Sequence, residues 1–438
     1  MKIRFVLIFA MALVISQVLS IDNRRVFARS EVPPGRQPIP RSFFGMTTHS
    51  VKPWPMLQFG GLRLWTTHTN WASINPSNGV YNWTTLDKWL ATIQQHGTTQ
   101  TIYTLAMTPQ WASSKPNDQT CRFGPGACDP PDDLNPDGSG TDQHWKDFVA
   151  AIATHAAGRI RYWEIWNEPV NLFYWTGTFA QMVRMAQDAR EVILGIDPTA
   201  RLLSPPNGAN IPFGEKWWEG YAALGGLNYA DIIALHGYVA LPPHQCGNFP
   251  KAADFITEVN NLRAILAKYG AQNKPIFDTE SSWWQANVLC FTNPDLQAAF
   301  LGQFYMFHSS MGIKRLYWFA YNDPTTGQLY DANTKQLTKA GVANQQVYDW
   351  MIGNTMTQDC SLSGKATWSC GLSGPNGYLA KAIWDTAETC HKGHCQTVEY
   401  KVSSNYTQFR TLDGKTIPIK NNHVPIGAKP ILLENHSR

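Results

Sequence analysis

Two glutamates stand out because each ends a strand-like run of apolar and branched residues. Glu168 closes the run 161–168, directly before Pro169, and Glu280 closes the run 274–280. Proline lacks a backbone donor, so Pro169 marks the end of strand pairing. A carboxylate at a buried strand end costs free energy unless it has a partner or a task. Either residue alone is equally well explained as a capping or ion-paired side chain, but two such ends favour a paired-carboxylate site.

A pair of carboxylates can cleave a glycosidic bond. One carboxyl group protonates the leaving oxygen, and the other acts on the opposite side of the sugar ring. A separation of about 5–5.5 Å gives a covalent intermediate and retention of configuration, whereas a wider gap admits water and gives inversion. Sequence spacing does not supply this distance, because the fold brings the strand ends together. We predict a separation of roughly 5 Å.

The elements around the glutamates alternate between strand-like runs and helical patterns, which indicates βα units and a parallel sheet. Eight such strands predict a (β/α)8 TIM barrel, of class α/β, at 42–345. The carboxyl ends of its strands surround one mouth, where Glu168 and Glu280 would stand on strands four and seven. A doubly wound sheet would also alternate, but no glycine-rich phosphate loop follows the first strand. The predicted strands are 43–47, 61–65, 99–105, 161–168, 201–205, 231–236, 274–280 and 315–320.

The two ends of the chain differ from the barrel region in composition and residue pattern. Short alternating runs separated by Gly, Asn and Asp predict a small, sandwich-like all-β domain at 346–438. Residues 1–20 have the charged, apolar and small-residue order of a secretory signal, and this segment is too short to span a membrane. Residues 21–41 form a Pro- and Arg-rich N-terminal arm. We therefore expect a secreted or periplasmic protein without membrane attachment after signal removal.

Charge and composition exclude some partners. The 438 residues carry a formal charge of only +4, and no run of Lys or Arg predicts a nucleic-acid face. The chain contains 18 Trp, 16 Tyr and 20 Phe, and several of them follow predicted strands, where function usually lies. No pattern specifies an oligomeric state.

The eight cysteines fit an exported protein with disulfides. A zinc site is the alternative near the C-terminus, because His391 and His394 lie between two cysteines. We favour disulfides between cysteines that are close in sequence, which leaves the last two to pair with each other. The predicted pairs are Cys121–Cys128, Cys360–Cys370, Cys390–Cys395 and Cys246–Cys290.

The Trp-Glu-Ile-Trp-Asn-Glu-Pro run at 163–169, the His-Gly-Tyr triplet at 236–238 and the trailing β region resemble a known group of enzymes. They are similar to the clan A retaining glycoside hydrolases, most like family 39 and related bacterial endoglycosidases. The resemblance covers Phe43 onward. It implies that Glu168 is the catalytic acid/base, that Glu280 is the nucleophile, and that no metal or cofactor takes part.

The resemblance also implies roles for residues beside the glutamates. Arg63, at the end of strand two, would keep Glu280 ionised and low in pKa, although an ordinary ion pair with Glu164 is also compatible with its position. Asn167 would bind the sugar 2-hydroxyl, with loop capping as the alternative. The strand alternation places Glu164 and Asp278 on the same side as the two glutamates, so we expect both to point into the barrel as supporting groups.

Further substrate contacts are expected after strands six, three, seven and eight. Tyr238 would donate a hydrogen bond to Glu280, and His236 would line the site unless it is a core histidine. Aromatic faces suit the apolar faces of sugar rings, with core packing as the alternative for each residue. The aromatic residues assigned to substrate binding are Trp111, Trp283 and Trp318.

Taken together, the residues and the resemblance favour an exported retaining glycoside hydrolase. Endo-acting cleavage of a poly- or oligosaccharide is the first choice because of the aromatic residues around the mouth. An exo-acting glycosidase of xylosidase or arabinosidase type is the alternative within the enzymes. A non-catalytic carbohydrate-binding barrel is the alternative from another class, and the presence of both Glu168 and Glu280 disfavours it.

Overall fold

Eight parallel strands alternate with helices in the computed structural model of the chain. The predicted signal at 1–20 lies outside the described residues, and the arm at 21–41 is described only from residue 36. The structure describes residues 36–98, 100–156, 158–208, 212–239, 250–285, 290–391 and 393–437. The barrel strands are β1 (Phe44–Met46), β2 (Gly61–Leu64), β3 (Gln100–Leu105), β4 (Tyr162–Ile165), β5 (Arg201–Leu203), β6 (Ile233–Leu235), β7 (Ile276–Ser281) and β8 (Arg315–Trp318).

The strands form one parallel sheet in the order β5-β4-β3-β2-β1-β8-β7-β6. Two parallel bridges, Leu203 with Ile232 and Asn207 with Leu235, join its outer strands and close the sheet on itself. The predicted (β/α)8 barrel is therefore confirmed. Since all strands run the same way, their carboxyl ends form one mouth.

Helices cover the outside of the barrel, and local sequence defines their ends. The backbone N–H of Gln181 donates to the hydroxyl of Thr178, and the backbone N–H of Thr178 donates to the side-chain oxygen of Gln181, which together form a capping box at the start of α4 (Phe179–Ile196). Among the described residues, no helix has the length and apolar character that crossing a membrane requires. The α-helices are α1 (Trp71–Ile74), α2 (Thr84–Gln95), α3 (Gln143–Ala156), α4 (Phe179–Ile196), α5 (Pro212–Ala223), α6 (Asp254–Lys268), α7 (Pro294–Ser310) and α8 (Lys339–Met351). Short 3-10 helices lie at Arg41–Phe43, Gln110–Ala112, Gly226–Tyr229 and Pro375–Gly377.

Side chains fill the barrel interior below the mouth. The guanidinium of Arg315 lies 4.3 Å from the ring centre of Tyr162 and 4.5 Å from that of Phe277. Burying this cation over two aromatic faces closes the amino end of the barrel. The interior cluster comprises Ile102, Tyr162, Leu203, Ile232, Ala234, Phe277 and Tyr317.

Strand β7 is irregular, and this corrects one expectation. Its pairing with β8 shifts register between Asp278 and Ser281. Asp278 therefore does not point into the barrel with Glu280: its carboxylate lies 2.8 Å from Nε2 of His308 on α7 and accepts from the backbone of Gly237 at 3.3 Å. An extra residue on one strand reverses the alternation beyond it. Asp278 supports the mouth from the helix layer.

An all-β region follows helix α8, as predicted. Its six-stranded antiparallel sheet has the order β11 (Thr355–Ser363), β12 (Thr367–Ser373), β13 (Leu379–Asp385), β20 (Ile431–Glu434), β17 (Gln408–Arg410) and β18 (Thr416–Pro418). The sheet packs against α7, where the ring centre of Phe307 lies 4.9 Å from that of Trp368 and 5.5 Å from that of Trp384. The chain leaves α8 only after Met351, and the division of the chain at 345–346 into two domains stays a prediction.

The short strands outside the barrel complete the secondary structure. They are β9 (Tyr330–Asp331), β10 (Gln336–Leu337), β11 (Thr355–Ser363), β12 (Thr367–Ser373), β13 (Leu379–Asp385), β14 (Cys390–His391), β15 (His394–Cys395), β16 (Val398–Lys401), β17 (Gln408–Arg410), β18 (Thr416–Pro418), β19 (His423–Ile426) and β20 (Ile431–Glu434). Three predicted disulfides are confirmed, and the third removes the zinc alternative because its sulfurs are bonded to each other: Cys121–Cys128, Cys360–Cys370 and Cys390–Cys395. The predicted pairing of Cys246 with Cys290 lies outside the described residues, because Cys246 is not among them.

Candidate active site

Glu168 and Glu280 meet at the carboxyl end of the barrel. One carboxylate oxygen of each lies within 4.8 Å of the other and of a ring nitrogen of His236. This closeness agrees with the separation of roughly 5 Å expected from the sequence, and it contrasts with the ~6.5–9.5 Å that admits a water molecule between the carboxyl groups. The arrangement can place two carboxyl groups on either side of one bond in a sugar substrate.

The chain reaches Glu168 through an unusual turn. Strand β4 ends at Ile165, earlier than predicted, because Trp166 and Glu168 have φ angles of 60° and 40°, in the left-handed region. The fully buried Trp166 stabilises the turn: its backbone donates to the carbonyl of Leu105, and its indole donates to that of Tyr174, both at 2.8 Å. Packing thus holds a conformation that the residues would not adopt alone, and the turn directs Glu168 into the mouth.

Arg63 organises the polar groups beneath the mouth. This fully buried guanidinium donates to Glu164 at 2.8 Å, to Glu280 at 2.6 Å and to Oδ1 of Asn167 at 2.8 Å. Arg63 thus forms the ion pair with Glu164 and also contacts Glu280. The expected low pKa of Glu280 is not found, because burial outweighs the charge of Arg63 and raises this pKa above its ordinary value. Glu164 faces the barrel interior as expected, where it also accepts from Thr104 at 2.8 Å. The rigid fork of an arginine suits three acceptors in fixed directions.

The two glutamates have different partners. Glu280 accepts from the hydroxyl of Tyr238 at 3.1 Å, and Glu168 lies 2.8 Å from Nδ1 of His236. Burial raises the pKa of Glu280, while His236 and Arg63 oppose this shift. Burial would also raise the pKa of Glu168, but its contact with His236 lowers the pKa below the ordinary value. Glu280 therefore has a permanently charged partner, whereas Glu168 has a partner whose charge depends on pH.

The pKa of His236 is raised, which predicts a pH-dependent contribution to stability. Burial alone would lower this pKa, but the negative charges of Glu280 and Glu168 outweigh it. Since the folded-state pKa exceeds the unfolded value of about 6.5, the stabilisation is fully present below that value and is lost as the pH rises through the folded-state pKa. We therefore expect His236→Asn to cost more free energy of unfolding at about pH 5.5 than at about pH 8.5, as measured by urea unfolding.

The control for this measurement is Tyr238→Phe, which removes a hydroxyl from the same site. Burial and the charge of Glu280 hold the pKa of Tyr238 well above its ordinary value, so the hydroxyl does not titrate between the two pH values. The cost of this change should be the same at both. An equal cost of His236→Asn at both pH values would contradict the raised pKa.

Two asparagines at the mouth were not identified from the sequence. Nδ2 of Asn171 donates to Glu168 at 2.9 Å, and Oδ1 of Asn207 accepts from the backbone of Val170 at 3.2 Å. Asn207 follows β5, and its carbonyl accepts from the backbone of His236 at 3.3 Å. Their position just after strands four and five could have identified them from the sequence, because polar residues that follow the strands of a barrel face the mouth.

A second polar group borders the mouth on the side of β1 and β8. Nδ1 of His49 lies 2.8 Å from the hydroxyl of Thr66, and its Nε2 lies 3.4 Å from Asp323. Burial would raise the pKa of Asp323, but contacts with His49 and Thr325 lower it to about 2. The half-buried ring of Phe319 packs edge-on against His49 at 5.5 Å. These residues lie in irregular loops, where no periodic pattern in the sequence marks them.

The three tryptophans assigned to sugar binding are placed differently. Trp283 and Trp318 are buried, with ring centres 5.4 Å apart, and the Trp318 indole donates to the carbonyl of Gly327 at 2.6 Å. Trp111 donates to the carbonyl of Asn75 at 2.9 Å. For Trp283 and Trp318 the substrate-binding assignment is corrected: a ring enclosed by other side chains offers no face to a sugar. The packing alternative holds for these two residues.

Glu168, His236 and Glu280 also form the arrangement of ligand atoms that a metal ion would require. However, the guanidinium of Arg63 already lies 2.6 Å from Glu280 and supplies a positive charge there. His236 in turn can carry a second positive charge beside Glu168. This charge balance suits proton transfer between buried groups better than binding of a divalent cation.

The sequence matches no protein-family model, and no curated protein matches it. Many solved structures share the fold. A family 39 glycoside hydrolase from Bacteroides cellulosilyticus WH2 has a TM-score of 0.64 and 15% identity, covering 90% of this chain and 80% of that one. A monomeric β-xylosidase from Caulobacter crescentus CB15 has a TM-score of 0.62 and 14% identity, and the match covers 91% of this chain and 97% of that one.

A family 30 subfamily 8 xylanase from Clostridium acetobutylicum has a TM-score of 0.56 and 14% identity, with coverages of 91% of this chain and 96% of that one. Identities this low establish the fold and leave the substrate open. The resemblance to family 39 and related glycoside hydrolases that the strand-end motifs indicate is thereby confirmed as a shared (β/α)8 fold.

Proposed function

We propose that this chain is a retaining glycoside hydrolase in which Glu168 is the acid/base and Glu280 the nucleophile. The observation that supports this proposal is the approach of the two carboxylates to within 4.8 Å at the barrel mouth. Their partners support the assignment of roles. A nucleophile must be ionised, and Glu280 contacts the permanently charged Arg63. An acid/base must gain and lose a proton, and Glu168 contacts the titratable His236.

The proposed reaction has two steps. Glu280 attacks the anomeric carbon and the bond to the leaving oxygen breaks, while Glu168 transfers a proton to that oxygen. Glu168, now ionised, then removes a proton from water, which attacks the same carbon and releases Glu280. Oδ1 of Asn167 accepts from Arg63 at 2.8 Å, which orients the amide so that its Nδ2 can donate to the sugar 2-hydroxyl.

For the substrate we propose a poly- or oligosaccharide cleaved by endo action, without a metal or cofactor. Aromatic side chains on both sides of the glutamates, such as half-buried Phe319 and exposed Phe173, support contacts with more than one sugar ring. Exo action is the second candidate, supported by the β-xylosidase among the similar structures. The three disulfides support a secreted or periplasmic location, because such bonds persist in oxidising compartments.

A hydrolysis screen against a panel of polysaccharides and oligosaccharides tests the proposal. Endo action should release products of several sizes early in the reaction, whereas exo action should release one size throughout. The first product should keep the anomeric configuration of the substrate, as observed by proton NMR before mutarotation. Inversion would overturn the covalent mechanism, and binding to a polysaccharide without any cleavage would favour the non-catalytic alternative.

A further inference from the structure

Four aromatic residues near the catalytic groups pack into one cluster, here called the aromatic wall: Trp65, Phe123, Phe173 and Tyr174. The ring centre of Tyr174 lies 6.0 Å from that of Trp65, 6.0 Å from that of Phe123 and 4.5 Å from that of Phe173. Trp65 in turn lies 5.7 Å from the guanidinium carbon of Arg63. The wall therefore extends from the base of the site to its rim.

Exposure increases along the wall. Trp65 is 4% exposed and Tyr174 is 8% exposed, whereas Phe173 at the rim is 41% exposed. Leu172, next to Phe173, is 74% exposed. Large apolar side chains at such exposure cost solvation free energy unless something covers them. The part of the wall that is open to a ligand is therefore its rim, formed by exposed Phe173 and half-buried Phe123, while the buried rings of Trp65 and Tyr174 support it from behind.

Two loops hold the wall together. Phe123 belongs to the loop after β3, which contains the disulfide Cys121–Cys128, and Phe173 belongs to the loop after β4. The backbone of Arg122 donates to the carbonyl of Phe173 at 3.1 Å, and that of Thr176 donates to the carbonyl of Cys128 at 2.9 Å. The wall is thus a built surface in which each loop limits the motion of the other.

The wall lies next in the chain to Glu168, the proposed acid/base. Phe173 and Tyr174 follow Glu168 in one turn, in which Asn171 donates to the carbonyl of Glu168 at 2.9 Å and Tyr174 to that of Asn171 at 2.8 Å. Besides burial, the negative charges of Glu168 and Glu280 raise the pKa of Tyr174. In a glycosidase the leaving group lies beside the acid, because the acid protonates its oxygen.

We propose that the aromatic wall is the leaving-group subsite and that it binds a ring with a flat apolar face. This inference rests on the proposed function and adds the class of leaving group to it. Such a face is presented by a pyranose ring or by an aryl group, and both stack on aromatic side chains. A leaving group without a ring would gain nothing from this surface.

The test compares Phe173→Ala with the wild type on three substrates of one sugar: the glycosyl fluoride, the 4-nitrophenyl glycoside and the oligosaccharide. The sugar is the one found in the hydrolysis screen. Fluoride has no ring to stack, so its kcat/KM should stay within about twofold of the wild-type value. The oligosaccharide should lose about 3- to 10-fold in kcat/KM, the effect expected for one aromatic contact. If kcat/KM also falls for the 4-nitrophenyl glycoside, the subsite binds any flat ring. If kcat/KM falls for the oligosaccharide alone, the subsite binds a sugar ring.

Two further variants make the test specific. Phe173→Tyr keeps the ring and should restore the activity on the oligosaccharide. Phe179→Ala is the matched control: Phe179 is 37% exposed but starts α4 and packs edge-on against Trp217 of α5 at 5.9 Å, away from the wall. In this control, kcat/KM should equal the wild-type value for all three substrates.

The outcomes separate this inference from the proposed function. Suppose that the wild type hydrolyses the fluoride, but that Phe173→Ala lowers kcat/KM equally for all three substrates or for none of them. The leaving-group subsite is then wrong, and the proposed function stands. If the wild type cleaves no glycosyl fluoride in the panel, the proposed function is wrong and the subsite is refuted with it.

Discussion

Glu280→Gln is expected to inactivate the protein on every glycoside, without a burst of product. The change removes the group that forms the covalent bond to the sugar, so an activated leaving group cannot compensate for its loss. Glu280 is 8% exposed and contacts Arg63 and Tyr238, so glutamine keeps the volume of the side chain in a packed site. The measurement is pre-steady-state release of 4-nitrophenol and steady-state cleavage of the natural glycoside.

Glu168→Gln should separate the two roles in the same assays. A 4-nitrophenolate leaving group needs little protonation, so the variant should still form the glycosyl-enzyme and give a burst, followed by slow turnover. Natural sugar leaving groups need the proton, and there the loss should be about 10²–10⁴-fold. Added azide, a nucleophile that needs no base, should release the stalled intermediate in this variant and leave Glu280→Gln inactive. Equal losses on both substrates without any burst would show that the roles are assigned wrongly.

Arg63→Met is expected to have the largest effect on stability. It leaves the carboxylates of Glu164 and Glu280 without the cation that lies 2.6 Å from each, and both are buried. Removing one partner of a buried ion pair costs about 3–5 kcal/mol of unfolding free energy. The variant should also lose about 10²–10³-fold in kcat/KM, because Glu280 would bind a proton more readily. Urea unfolding and steady-state kinetics measure the two effects.

A double variant and a surface control resolve the causes. In Arg63→Met with Glu164→Gln, one unpaired charge is gone, so part of the stability should return while the activity stays low. Lys268→Met breaks an exposed ion pair of the same 2.6 Å length, with Glu219, and should change stability far less. Wild-type stability in Arg63→Met would contradict the role of Arg63 as the shared cation of the site.

The barrel and its two glutamates were predictable because they depend on patterns within short segments. Strand and helix periods repeat along 42–345. Parallel strands place Glu168 and Glu280 at the same end of the barrel, independently of the loop conformations. Arg63 was predictable for the same reason, since it ends a strand. These residues depend on topology more than on side-chain packing.

The remaining assignments depend on packing, which a single sequence does not encode. Trp283 and Phe319 follow strands and Trp318 ends one, but the fold encloses the two tryptophans and leaves the phenylalanine half-exposed. One extra residue in β7 turned Asp278 toward the helices, and no turn signal in the sequence marks it. Asn171 contacts Glu168 only through the turn at Trp166, whose left-handed backbone is held by distant partners.

The position of β20 determines when the protein can finish folding during synthesis. Strand β20, at 431–434, lies between β13 and β17, so it joins the two halves of the C-terminal sheet. Until the ribosome has made it, β13 has an open edge and the sheet over helix α7 is incomplete. Helix α7, which this sheet covers, follows the strand that carries Glu280. An unpaired edge of this kind favours aggregation, so the partly made sheet is most prone to it before synthesis has passed this strand.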